Sequence, residues 1–329
     1  MIVLWIGVLI ASLFVLIRSA DYFTKYSEKL GLIFGMSSFI IGATIIAIGT
    51  SLPELVSSLF AISAGETEFV TDNIIGSNIA NGLLILGIGA VVAGTLKAST
   101  KLIDVDLPFF FMSMALFVFF AMDKVISFPE GIALFVFFVI FMIYNIRSGS
   151  EGNEEEKEEK EQMKELKEQF ENGTEKKHRK SNVRVYIAII VASMIAIAVG
   201  AKFLIDSVLT LSQLLGISSS LLTITVVAFG TSLPEVLTSI SAIRLGNHGM
   251  AIGNVFGSNT FNLLLVGGLP ALFKDLTIHD STFSIGIPFL VVATFTVIFV
   301  IFDNKIRFWE GVAMLFLYAV FIAKIIQIL

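Results

Sequence analysis

Two glutamates embedded in apolar sequence are the side chains best placed to do chemistry in this chain. Glu54 closes the run Gly49-Thr50-Ser51-Leu52-Pro53-Glu54, and Glu235 closes a second copy, Gly230-Thr231-Ser232-Leu233-Pro234-Glu235. A carboxylate in hydrocarbon is costly, so such a residue marks a site for an opposite charge, an ion or a proton. Proline has no amide hydrogen, so Pro53 cannot bond the carbonyl of Gly49, nor Pro234 that of Gly230, and each ring pushes its turn open. Carbonyls around Gly49, Thr50, Gly230 and Thr231 are thereby offered beside the hydroxyls of Thr50, Ser51, Thr231 and Ser232. Carboxylates, carbonyls and hydroxyls together suit a hard cation, and Ca²⁺ takes about six to eight such oxygens. The chain has no cysteine, and its histidines lie outside the apolar runs, which argues against zinc, copper and thiol chemistry.

A second polar cluster follows each glutamate. Asn73-Ile74-Ile75-Gly76-Ser77-Asn78-Ile79-Ala80-Asn81 matches Asn254-Val255-Phe256-Gly257-Ser258-Asn259-Thr260-Phe261-Asn262. Ser77 and Asn81 are four apart and share one helix face, as do Ser258 and Asn262, so these four are expected to line the site. Gly76 and Gly257 should allow close helix approach. For Asn78 and Asn259 both ligation and plain interhelical hydrogen bonding stay open.

The elements that must carry these residues are membrane helices. With 56% hydrophobic residues, 15% charged residues and a mean hydropathy of +0.90, the composition is that of a polytopic membrane protein. Apolar runs at 2–17, 31–64, 70–94, 106–122, 128–146, 183–209, 213–245, 249–273, 284–302 and 309–327 are each compatible with a bilayer-spanning helix of roughly 20 residues. The second and seventh are long enough to suggest tilt or a break. The first lacks a basic leading region and a good cleavage site, so it is read as a mature helix rather than a signal peptide.

The motif copies are offset by 181 residues, a register that runs unbroken from Gly35/Gly216 to Gly87/Gly268 and continues at 180 through Pro108/Pro288, Asp123/Asp303 and Glu130/Glu310. Five runs per half, an odd number, make the second half enter the membrane from the opposite face. The expected fold is therefore an all-α polytopic membrane protein of ten transmembrane helices in two inverted five-helix repeats, 1–146 and 183–329. Between them, 147–182 forms a charged loop, read as a solvated linker whose basic end Lys176-Lys177-His178-Arg179-Lys180 lies near anionic lipid. Outside that loop, Arg18, Lys25, Lys29, Lys97, Lys101, Arg244, Lys305 and Arg307 fall on one face, against Lys124, Lys202, Lys274 and Lys324 on the other. This bias puts the loop in the cytoplasm and both termini outside. The lack of targeting signals suggests a prokaryotic cell membrane. Asp123, Asp303, Glu130 and Glu310 suit helix starts, Asp72 is read as a helix-start residue near the outer mouth, and Asp21, Lys202 and Asp206 are placed near span ends.

The two copies of G-T-S-L-P-E, each followed by N-x-x-G-S-N-x-x-N in inverted halves, resemble the α-repeats of the sodium/calcium exchanger family, across essentially the whole chain except the loop. The resemblance implies four clustered ion sites in which Ca²⁺ and Na⁺ compete for shared ligands. By motif position it places Ca²⁺ at Glu54 and Glu235 with the backbone carbonyls of Thr50 and Thr231. Na⁺ would use Ala47, Ser51, Ser77, Ala228, Ser232 and Ser258, and Asn81 and Asn262 would face the centre. Potassium-dependent relatives carry an aspartate where this chain has Asn262, so the expected activity is K⁺-independent, electrogenic Na⁺/Ca²⁺ antiport by alternating access, with the first and sixth spans as a sliding gate. No cofactor, nucleic acid or obligate protein partner is expected beyond the transported Ca²⁺ and Na⁺ and the lipid bilayer.

Three rival readings differ in mechanism. A proton/calcium antiporter would load protons on the same glutamates, although its branch of the family carries different motif residues. A two-carboxylate hydrolase needs environments that push two pKa values apart, whereas these glutamates have near-identical surroundings. A channel fits oppositely facing halves less well than alternating access does.

Overall fold

The computed structural model describes residues 2–34, 36–98, 107–148, 176–214 and 232–326. Residues 149–175 of the central loop, Ala228 and Thr231 lie outside the described residues, whereas the loop's basic end, expected as linker, is helical and continues into the following span. The described residues are almost wholly helical, and seven of the described helices are long and apolar enough to cross a bilayer. In chain order the helices are α1 (Ile2–Ile33), α2 (Ser38–Ala64), α3 (Thr67–Ala93), α4 (Leu107–Asp123) and α5 (Phe128–Ser148), then α6 (Lys176–Leu214), α7 (Leu233–Arg244), α8 (248–271), α9 (Thr282–Ile301) and α10 (Phe308–Ile326).

α1 differs from expectation. It runs unbroken for 32 residues, where the apolar run ends at 17 and a new one starts at 31. Hydropathy marked the lipid-matched part of the helix and not its end, because no proline or glycine interrupts Arg18–Leu30. Asp21 is consequently mid-helix and not at a span end; it accepts a 2.7 Å hydrogen bond from Ser241 Oγ on α7. Glu28, seven residues on, accepts one from Asn247 Nδ2, also at 2.7 Å. α1 and α6 lie against each other outside the remaining helices. Most of the apolar side chains of α1 from Ile2 to Ile17 are exposed, as lipid-facing residues would be.

Two antiparallel ribbons, which no hydropathy pattern announced, join the two halves. β1 (Thr95–Lys97) pairs with β4 (Lys305–Arg307), and β2 (Val125–Ile126) pairs with β3 (Leu276–Thr277). Under the 180 to 181 offset β1 corresponds to β3 and β2 to β4, so one pairing is the pseudo-symmetric image of the other. Each buries one apolar cross-strand pair, Leu96 with Ile306 and Ile126 with Leu276. The helices beside them cross in the same swapped way. A Cβ on Gly311 of α10 would stand 2.8 Å from the Gly87 carbonyl of α3, and one on Gly131 of α5 would stand 3.0 Å from the Gly268 carbonyl of α8. At such approaches only glycine leaves room.

Of the acidic residues expected at helix starts, Glu130 and Glu310 stand at the starts of α5 and α10, whereas Asp123 closes α4 and Asp303 follows the end of α9. Glu130 Oε2 accepts from both the amide and the hydroxyl of Ser127 at 2.7 Å, and Glu310 Oε2 accepts from the Arg307 amide at 2.7 Å. In each case the third helical residue reaches back to the capping residue and satisfies an amide left without a helical partner. Asp72 is not a helix-start residue. It sits in the second turn of α3, exposed, and accepts from Thr282 Oγ1 on α9 at 2.5 Å.

Candidate functional site

On α2 the residues Ala47, Thr50, Ser51 and Glu54 recur at spacings of three and four and so share one face. The helix is not interrupted at Pro53, contrary to the expected opening of that turn; its departure from α geometry lies upstream, as a π-helical turn at Gly42–Ile46. π turns also start at Ala80 in α3, spanning Ala80–Ile85, and at Asn262 in α8, spanning Asn262–Val266. Asn81 and Asn262 thus occupy corresponding irregular turns, the kind of local departure that recurs at functional sites. In the second half, Pro234 is the second residue of α7, two after the N-cap Ser232, where a missing amide hydrogen costs nothing.

The motif-bearing helices meet backbone to backbone. A Cβ on Gly257 of α8 would fall 2.4 Å from the Ala43 carbonyl of α2, whereas one on Gly76 would meet nothing within 4 Å among the described residues. The close approach expected of both glycines is seen at Gly257; residue 224, which corresponds to Ala43 under the 181 offset, lies outside the described residues. With α2 and α8 in contact, Thr50 Oγ1 comes within 3.4 Å of both Ser258 Oγ and Asn254 Oδ1. Ser51 Oγ donates to Glu235 Oε1 at 3.2 Å, so the first motif copy touches the glutamate of the second. Glu54 lies near enough to Glu235 for their charges to interact.

The cluster is dry and rich in unsatisfied oxygen. Glu54 is 1% exposed and Glu235 is 0% exposed. Among the described residues neither carboxylate oxygen of Glu54 has a hydrogen-bond partner, nor has Glu235 Oε2. The same holds for Ser77 Oγ, Ser232 Oγ and both amide atoms of Asn81 and Asn262. A buried carboxylate left alone is strongly destabilising, and no described cation approaches either glutamate. The ion pairs given by the described side chains lie at the surface, Lys124 with Asp280 and Arg307 with Asp303 and Glu310. Lys124 there holds the exposed Asp280 carboxyl below its usual range. Two carboxylates with converging neutral oxygens can do one thing well: take the place of water around a desolvated cation.

Of the twelve residues singled out in the sequence, Ala228 and Thr231 fall outside the described segments. The other ten are buried together where α2, α3, α7 and α8 converge. Asn78 Nδ2 donates to the Ile74 carbonyl of its own helix at 2.7 Å, while its Oδ1, like that of Asn259, is buried with no partner among the described residues. Asn254 was missed as a site residue, although it opens the second polar motif and is fully buried at the centre of the hydrogen bonding between α2, α7 and α8.

The family profile described as sodium/calcium exchanger protein matches residues 4–147 and 185–327, both halves but not the central loop. The chain is 33% identical to the sodium/calcium exchanger MaX1 of Methanosarcina acetivorans, covering 98% of each chain. It is 30% identical to the uncharacterised membrane protein MJ0091 of Methanocaldococcus jannaschii, covering 99% of each. Among solved structures, the sodium-calcium exchanger NCX_Mj soaked with 2.5 mM Na⁺ and 0.1 mM Sr²⁺ superposes with a TM-score of 0.81 at 28% identity, over 98% of this chain and 99% of that one. With a profile matched across both halves and likenesses of this extent, the chain belongs to the sodium/calcium exchanger protein family.

Proposed function

We propose that this protein is a secondary antiporter that exchanges Na⁺ for Ca²⁺ across a membrane, built as ten transmembrane helices in two inverted five-helix repeats. The observation that carries this reading is the buried cluster around Glu54 and Glu235, whose oxygens lack partners among the described residues. Ca²⁺ is held by the two carboxylates and the backbone carbonyls of Thr50 and Thr231. Na⁺ takes flanking positions built from Ala47, Ser51 and Ser77 and from Ala228, Ser232 and Ser258, while Asn81 and Asn262 face the centre. Likeness to exchangers that carry this motif supports the assignment.

Charge then dictates exchange. One Ca²⁺ balances two carboxylates, whereas several Na⁺ bind the same cage with a different net charge. Bare carboxylates in low dielectric cost several kcal/mol each, by order of magnitude. An unloaded cage is therefore held back from crossing, and each reorientation carries one cargo or the other. The protein itself makes and breaks no covalent bond. Amides at both Asn81 and Asn262 leave two formal charges at the centre, which supports K⁺ independence. More charge moving with Na⁺ than with Ca²⁺ makes transport electrogenic. The peripheral pair α1 and α6 slides as the gate, with the central loop cytoplasmic and both termini outside.

The test is Ca²⁺ uptake into proteoliposomes preloaded with Na⁺, against Na⁺-free controls, with Glu54→Gln and Glu235→Gln alongside. Uptake that needs the Na⁺ gradient and is lost in both variants supports the proposal. Uptake that ignores Na⁺ and follows a pH gradient would replace it with proton/calcium antiport.

A further inference from the structure

Asn254 lies in the repeated motif but outside the ligand set assigned above. Its side chain is fully buried and both ends of its amide are engaged. Nδ2 donates to Ser239 Oγ at 2.9 Å, to Thr238 Oγ1 at 3.3 Å and to the Glu235 carbonyl at 3.4 Å, all on α7. Those contacts fix the sense of the amide, since the reverse orientation would set its oxygen against the Glu235 carbonyl oxygen. Oδ1 is thereby presented to two hydroxyls of the ion cluster, Thr50 Oγ1 at 3.4 Å and Ser258 Oγ at 3.5 Å, one from each half of the chain.

A hydroxyl binds a cation through a lone pair, so its proton has to be given to something else. Thr50 has two such acceptors, Asn254 Oδ1 and the Ala47 carbonyl at 3.3 Å. For Ser258 the acceptor among the described residues is Asn254 Oδ1, with Thr50 Oγ1 itself 3.4 Å away. Without Asn254, Thr50 would keep the Ala47 carbonyl alone, and Ser258 would be left to donate toward Thr50 Oγ1 or toward the ion. A proton aimed at a cation opposes binding.

We infer that Asn254 is a positioning residue that sets the polarity of the cation cage. It takes up the protons of Thr50 and Ser258, turns both oxygens lone-pair-first toward the ion, and ties that alignment to the helix turn carrying Glu235. The inference rests on reading the cluster as a cation site. It concerns the weaker, hydroxyl-bound ion most, so Na⁺ is the cargo it controls.

The experiment measures Na⁺ half-saturation and maximal rate of Na⁺-dependent Ca²⁺ flux in proteoliposomes. It compares wild type, Asn254→Ala, Asn254→Asp, Thr50→Val/Ser258→Ala, and that pair combined with Asn254→Ala. Asn254→Ala should raise the Na⁺ half-saturation about five- to tenfold, the scale of one lost hydrogen bond. Added to the hydroxyl-free pair it should shift the value less than about twofold, because coupled residues are not additive. Asn254→Asp keeps the acceptor and loses the donor, so its Na⁺ half-saturation should stay at or below that of wild type. An equal shift in both backgrounds, or a fall in maximal rate alone, would overturn the inference. So would Asn254→Asp raising the Na⁺ half-saturation about fivefold or more over wild type, a readout that stands even if the alanine variant fails to fold. Wild type that does not exchange, or Glu235→Gln that exchanges normally, would instead overturn the cation-site reading beneath it.

Discussion

At the residue scale, the informative contrast is between groups that are satisfied and groups that are not. Asn254 is a buried amide with both ends engaged and Asn78 one whose nitrogen alone is engaged, whereas Asn81 and Asn262 are buried amides with no partner among the described residues. Sequence spacing singles out the last two, since Ser77/Asn81 and Ser258/Asn262 each hold one helix face. It could not separate Asn254 from the rest of its motif, because what distinguishes Asn254 is the set of side chains on α2 and α7 that reach it. The count of formal charges in the cage leads to a prediction. Asn262→Asp adds a third carboxylate, so one Ca²⁺ no longer neutralises the cluster. A single uncompensated buried charge costs several kcal/mol, by order of magnitude. Na⁺/Ca²⁺ exchange in that variant should therefore slow by about tenfold or more at neutral pH in K⁺-free buffer, with folding retained, and isotopic Ca²⁺ flux would measure it. An unchanged rate would mean that Asn262 does not face the ion.

At the element scale, apolar periodicity identified the membrane helices well and their irregularities poorly. Proline is visible in a sequence, so the break in α2 was expected at Pro53. A π turn leaves no such signature, and that is where the ladder actually departs, at Gly42–Ile46. The length of α1 was hidden for a related reason: charged residues beyond Ile17 look like a span end, although they continue the helix, Asp21 binding α7 and Glu28 the residue that caps α8. The seam between α2 and α8 was legible in part, through Gly257. Placing a methyl 2.4 Å from the Ala43 carbonyl meets backbone, which cannot rotate away. Gly257→Ala is thus expected to cost about 1 to 3 kcal/mol by overpacking and to depress transport, while Gly249→Ala in the same helix, whose methyl would meet its nearest described neighbour at 3.7 Å, should do neither. Thermal unfolding in detergent would compare the two, and equal midpoints would contradict the seam.

At the scale of the whole molecule, the repetition of the two halves was readable because Gly, Pro, Asn and Glu keep register across 180 to 181 residues. What could not be read is which half each element packs against, since the repeat gives equivalence and not contact. The orientation we propose rests on the basic residues, and the absence of cysteine makes it simple to test. A single cysteine at Asp280, whose side chain is 86% exposed, should react with an impermeant thiol reagent added outside intact cells. One at Lys305, exposed in β4, should react only after the membrane is opened. The reverse pattern would invert the assigned topology.

The swapped ribbons bear on how the protein is made. β1 and β2 lie in the first half, yet their partners β4 and β3 are synthesised only with the second. Until then the first half has two strand edges and two glycine notches unfilled, and neither half can complete its packing alone. A chain truncated before Lys305 would lack β4 and α10 and should be recognised by the cell as unfinished, even though both glutamates are already in place.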